Sequence, residues 1–270
     1  MTLLEDLEII RRQGFIEAMN RASRQTIVAI FGRVPWEIFY AFDILPIRAY
    51  AADAHVIEER QGYCTMLDAT IEYYRLNKCP YMHFARAYIV DDLCPLRLEA
   101  LTQTLDPVYI YRDLDELIRL LEEKTQQRLN LAKLEAVIQQ SQAISRAYLA
   151  LNQAALDPFI INQAHYQAQF IFDLDQRLAF LQDLMTDQVV RHPMVVTNQL
   201  AGIQAHLQDQ VQLVGWGCEE ERHLISDQSG LAFLKEKYQS QQKKIDYQPC
   251  GCPFNEGAMQ LTYEGEQSCK

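Results

Sequence analysis

Seven cysteines, at positions 64, 79, 94, 218, 250, 252 and 269, are the residues of this chain whose chemistry stands out. Their odd number fits badly with a fully paired disulfide framework. In a reducing compartment, thiols in this number serve as metal ligands, as redox groups, or as small apolar residues of a core. Other constellations are absent. No GxGxxG, GxxxxGK[ST], HExxH or GxSxG occurs, and the six histidines are scattered without paired ligand spacing. Dinucleotide binding, P-loop chemistry, zincin and serine-hydrolase readings therefore have no motif to rest on.

The elements around two of the cysteines make them the strongest candidates. Cys94, in IVDDLCPLR, directly follows the apolar stretch AYIV (87–90) and precedes a predicted helix from Pro95 to Thr104. Ligands of open α/β sheets gather at the carboxyl ends of strands, and the field of a following helix favours a thiolate. Cys64, in RQGYCTMLD, lies within a predicted helix running from about His55 to Asn77. Cys79, in NKCPYMH, follows that helix and reads equally well as a loop or core residue. Cys250 and Cys252 form a CGC element before Pro253, and Cys218 follows a predicted strand in GWGCEEER.

These candidates need a frame to hold them, and the periodicity predicts one. Leu4, Leu7, Ile10, Phe15, Ala18 and Met19 recur at near-helical spacing over residues 3–24. TIVAIFG (26–32) is a β-branched apolar run closed by glycine, the pattern of a strand buried on both faces. Pro35 suits a first helical turn, WEIFYAFD continues it, and ILPIRAY (44–50) and PVYIY (107–111) read as further strands. The alternation predicts an α/β fold, a parallel sheet flanked by helices, over residues 1–112. A helical insert follows over 113–191. Strand patterns at PMVVTN (193–198) and VQLVGWG (211–217) then predict a second, smaller and truncated α/β lobe over 192–270, ending in an irregular Cys-rich tail.

Composition narrows the partners. The chain has 270 residues, 49% of them hydrophobic and 23% charged, which is ordinary globular usage. Its 36 acidic and 25 basic residues give a formal charge of -11, the wrong sign for covering a nucleic-acid backbone. No apolar run approaches the roughly 20 residues that span a bilayer. The opening MTLLEDLEIIRRQGF carries acids where a signal peptide has a basic region. The expected location is the cytoplasm, with neither membrane nor nucleic acid as a partner.

FGRVPWEIFYAFDILPIRAYA is similar to the opening motif of the 2-hydroxyacyl-CoA dehydratase and benzoyl-CoA reductase family, V-P-x-E-[IL]-x-x-A-x-G-x-x-P-x-R. Val34, Pro35, Glu37, Ile38, Ala41, Pro46 and Arg48 match it, and Asp43 replaces the glycine. QGYC resembles the segment of the family's first cluster cysteine, and AYIVDDLCPLR that of its second. DLDELIRLLEEKTQQRLNLAKLEAVIQQSQAISRAYLAL resembles the family's helical insert, L-x-x-x-[IL]-E-x-x-T-G-x-x-[IL]-x-x-x-x-L-x-x-A-[IL]-x-x-x-N. The match covers about residues 26–190, with a weaker continuation at MVVTN and VQLVGWGCEEER.

The resemblance implies an iron-sulfur subunit, binding a [4Fe-4S] cluster through three cysteines and leaving one iron open. It implies an acyl-CoA substrate, a homologous second subunit forming a heterodimer, and an ATP-dependent activator protein that delivers a low-potential electron. Cys64 and Cys94 would be ligands. The family's third cysteine lies late, beyond the stretch that LAFLKEKYQSQQKKIDYQPCGCPFN resembles, so Cys252 or Cys250 is the expected substitute and Cys218 the next candidate. Glu37, after the first strand, would contact substrate or an iron-bound ligand; as a first-turn acid facing the helix dipole it has an equally good structural explanation. Arg48 suits a phosphate or carboxylate, or an ion pair. Trp36, Phe39, Tyr40 and Phe42 read as core. The rival expectation is a short paralogue that keeps the fold as a scaffold or interaction subunit, and a third is an electron-transfer protein without substrate.

Overall fold

The computed structural model describes residues 3–50, 63, 65–153, 158–185, 194–197, 212–215, 225–239, 260–261 and 267–268. A helix, α1 (Leu3–Ala22), leads into strand β1 (Ile27–Phe31), helix α2 (Trp36–Ala41) and strand β2 (Leu45–Arg48). Helices α3 (Thr65–Arg75) and α4 (Pro80–Phe84) precede β3 (Tyr88–Asp91), α5 (Pro95–Thr104) and β4 (Val108–Tyr111). Four helices follow: α6 (Leu114–Thr125), α7 (Leu131–Gln153), α8 (Pro158–Ala168) and α9 (Leu174–Leu184).

β1 to β4 form a parallel sheet in the order β2-β1-β3-β4, as the strand-helix alternation predicts. β1 explains why its run is continuously apolar. Successive strand side chains point to opposite faces. Val28 and Ile30 join one core with α2, α6, α7 and α9, while Ile27, Ala29 and Phe31 join another with α3, α4 and α5. Neither face meets water, so no polar residue alternates in.

Beyond α9, β5 (Met194–Thr197) pairs in parallel with β6 (Gln212–Gly215), close to the stretches predicted as strands. The next helix among the described residues is α10 (Gly230–Gln239), and β7 (Gln260–Leu261) and β8 (Gln267–Ser268) pair antiparallel. α10 packs on α7, and its Phe233, Leu234 and Tyr238 belong to the same core as Val28 and Ile30. Among the described residues, no helix is long and apolar enough to cross a membrane.

Candidate functional site

The chain leaves β1 for β2 on one side and returns past it to β3 on the other. This reversal parts the loops after β1 and β3 and makes the carboxyl edge between them the place where parallel sheets hold ligands. Gly32, just past β1, has φ +80, and a Cβ there would overlap the Asp91 carboxylate and the Arg97 guanidinium. Only glycine meets both demands. The pinch brings the two loops together. Asp91, at the end of β3 and 1% exposed, accepts from the Arg33 amide at 2.6 Å and the Leu93 amide at 3.3 Å, and pairs with buried Arg97 of α5. Arg48, at the end of β2, is buried and donates from Nη1 to the Gly32 carbonyl at 2.9 Å.

Cys94 lies at this edge. It is the N-cap of α5 with extended backbone (φ -117, ψ 105), its carbonyl accepts from the Leu98 amide, and the residue is partly exposed beside exposed Leu93. Cys79 is placed differently. It caps the five-residue helix α4 and is buried in the α3–α5 core, the second of the two readings, loop or core, that its sequence allowed. Burial pushes its thiol up, against opposing backbone hydrogen bonds from Met82 and Tyr81. It belongs with the core cysteines, not the ligands.

Cys64, Cys218, Cys250, Cys252 and Cys269 lie outside the described residues, and with them the expected convergence of Cys64 on Cys94. Among the described residues no group of three or more His, Cys, Asp or Glu side chains is placed to hold a metal. On their own they offer Cys94 as a soft ligand, and a cluster would draw its remaining thiolates from elsewhere in the chain.

Glu37 occupies a second, separate cluster. Trp36 and Glu37 open α2 with Pro35 as the N-cap, and Glu37 is wholly buried. Its Oε1 accepts from Lys237 Nζ and from Ser141 Oγ, both at 2.7 Å, and its Oε2 accepts from the Tyr238 hydroxyl at 2.9 Å. Lys237 is also wholly buried, 3.3 Å from Ser141 Oγ. Its ammonium lies 5.4 Å from the Tyr238 ring centre, 5.6 Å from Trp36 and 5.9 Å from Phe233. The Arg177 guanidinium lies 5.6 Å from the Trp36 ring and donates to the Ile171 and Gln169 carbonyls.

Sequence reasoning picked out Glu37 and missed its partners. A signal was present for each. Lys237 falls on the stripe made by Phe233, Leu234 and Tyr238, and Ser141 on the stripe of Leu134 and Ile138, so both sit where helical periodicity demands an apolar side chain. A polar residue in that position implies a buried partner.

No protein-family model matches the chain, and a comparison with curated proteins finds no match.

Proposed function

We propose that the chain is an iron-sulfur subunit of an enzyme of the 2-hydroxyacyl-CoA dehydratase or benzoyl-CoA reductase kind, with Cys94 as a cluster ligand. One observation carries this reading: a partly exposed cysteine at the head of α5, on the carboxyl edge where β1 and β3 part. Cys64 and one of Cys250 or Cys252 are the remaining ligands in this reading. A three-thiolate [4Fe-4S] cluster with one open iron supplies Lewis acidity and one-electron transfer. The acyl-CoA substrate, homologous second subunit, and ATP-dependent activator belong to the same proposal.

Backbone geometry supports the resemblance on which this rests. The two family motifs place a glycine at the positions of Asp43 and Gln126. Both residues have left-handed backbone, φ 59 and φ 56, and the only other non-glycine residue with positive φ among those described is Asn77. The side chains have changed, while the conformation that a glycine would serve has stayed.

Within this frame the chain's own residues have definable work. Gly32, Asp91 and Arg97 lock the two loops together, Arg48 holds the turn after β1, and Cys94 presents its thiol at the edge. Anaerobic purification with iron and sulfide analysis tests the proposal. The wild-type chain should carry iron, sulfide and the absorbance near roughly 400 nm of a thiolate-ligated cluster, and Cys94→Ser should lose most of all three. Absence of iron in the wild-type chain, even after anaerobic reconstitution with its natural partner, overturns the proposal.

The sealed state of Glu37 favours a second reading. A carboxylate with no exposure and three donors already in place has no room for a substrate. A scaffold subunit that keeps the fold without the chemistry would show this, and it would bind the partner subunit with neither iron nor sulfide.

A further inference from the structure

The Glu37 cluster, independent of any cluster at Cys94, has the composition of a ligand site. A carboxylate oxygen and a hydroxyl accept from one ammonium, and three aromatic rings surround it at cation–π distance. This is the chemistry that recognises primary alkylammonium groups. Here the ammonium is the chain's own Lys237. It arrives on the ten-residue helix α10, 200 positions along the sequence from Glu37. We infer that α2 and α7, with the aromatic residues of α10, form an ammonium-binding slot occupied in cis, and that α10 is a strap that this slot holds and can release.

Three features separate the arrangement from an ordinary core contact. First, burying two charges roughly cancels the attraction between them, so the pair sets where α10 docks far more than how tightly. Second, the slot's acceptors come from α2 and α7, while its cation comes from α10. Withdrawing α10 therefore uncovers Glu37 and Ser141 without breaking a strand pairing of the main sheet. Third, Glu37 stands in the first turn of α2, so the strap grips the helix that follows the loop after β1. Around the pair, Arg177 of α9 lies beyond the Trp36 ring, and α10 is further tethered by the Gly230 amide to Glu135 of α7 at 2.8 Å.

Native-state hydrogen exchange on the full chain is the first test. Amides of 231–239 should exchange at least about ten-fold faster than those of 134–148, because α10 opens without global unfolding. Exchange of both groups at one common rate overturns the strap. The second test uses Lys237→Ala, in which protection of 231–239 should fall and should return on adding n-butylammonium chloride, whereas n-butanol or sodium chloride at equal concentration should not restore it. If the variant folds poorly, the same additions are made during refolding, and recovery of native circular dichroism is read instead. Equal effects of butylammonium and butanol, or none from either, overturn the ammonium site. Lys237→Arg, which keeps charge but not shape, should recover less protection than Lys237→Ala with butylammonium.

Discussion

Two buried acid-base pairs in this molecule differ in what they join. Asp91 and Arg97 are six residues apart within one strand-to-helix unit, and their pairing shapes the turn at the carboxyl edge of the sheet. Glu37 and Lys237 are separated by 200 residues and join α2 to α10. Asp91 also accepts from two backbone amides, so part of its network survives loss of the guanidinium. The Lys237 pair depends on side chains throughout. A local pair of this kind organises a loop, whereas the distant one organises the chain.

The sharpest way to break the comparison is to remove one charge from the distant pair. Lys237→Met leaves the Glu37 carboxylate buried without its cation and should lower unfolding free energy by about 4 kcal/mol, whereas Glu37→Gln combined with Lys237→Met should recover most of that. Urea denaturation of the two variants measures it, and equal losses in both would show that the charges are not coupled. Gly32→Ala should lose about 3 kcal/mol, since the added methyl meets positive φ and the Asp91–Arg97 pair together. Asp91→Asn should lose a comparable amount, about 3 kcal/mol, because its single amide oxygen can keep only one of the Arg33 and Leu93 bonds, which go to different carboxylate oxygens, and buried Arg97 loses its counter-ion.

Alkaline pH gives a milder test on β3, the strand that ends in Asp91. Burial pushes the Tyr88 hydroxyl up to about 12. In the unfolded chain the group ionises near its usual value of 10, so the unfolded state releases a proton that the folded state keeps. Stability is thus fully present below about pH 10 and declines as pH rises from there to about 12. Tyr88→Phe should flatten that part of the stability curve, as followed by circular dichroism across the range.

How far sequence reasoning reached follows the same division between local and distant. The strands of the main sheet were legible because β1 to β3 are fully buried and, like the half-buried β4, read as largely apolar runs, and the position of Cys94 at a strand's carboxyl end was legible because it follows one. α4 was not, since Pro80 beside Cys79 signals a turn as strongly as it signals the first position of a short helix. The expected contact of Glu37 with a ligand drew on its place after β1, which is correct, and did not include Lys237. A helix stripe shows that a lysine will be buried; it does not show which of 36 acids will meet it. Asp43 and Gln126 have left-handed backbone that the sequence reading did not anticipate: aspartate enters that region more readily than most residues, while glutamine gives no sign of it.

The 200-residue gap between Glu37 and Lys237 also has a meaning in time. Translation delivers the carboxylate long before its counter-ion, after the strands and helices up to α9 have been made. Throughout that interval the Glu37 carboxylate must stay hydrated, because a lone buried carboxylate is untenable. The α2–α7 seam therefore stays wet on the ribosome and dries only when α10 arrives, which makes the last-described helix the step that finishes a core begun by β1.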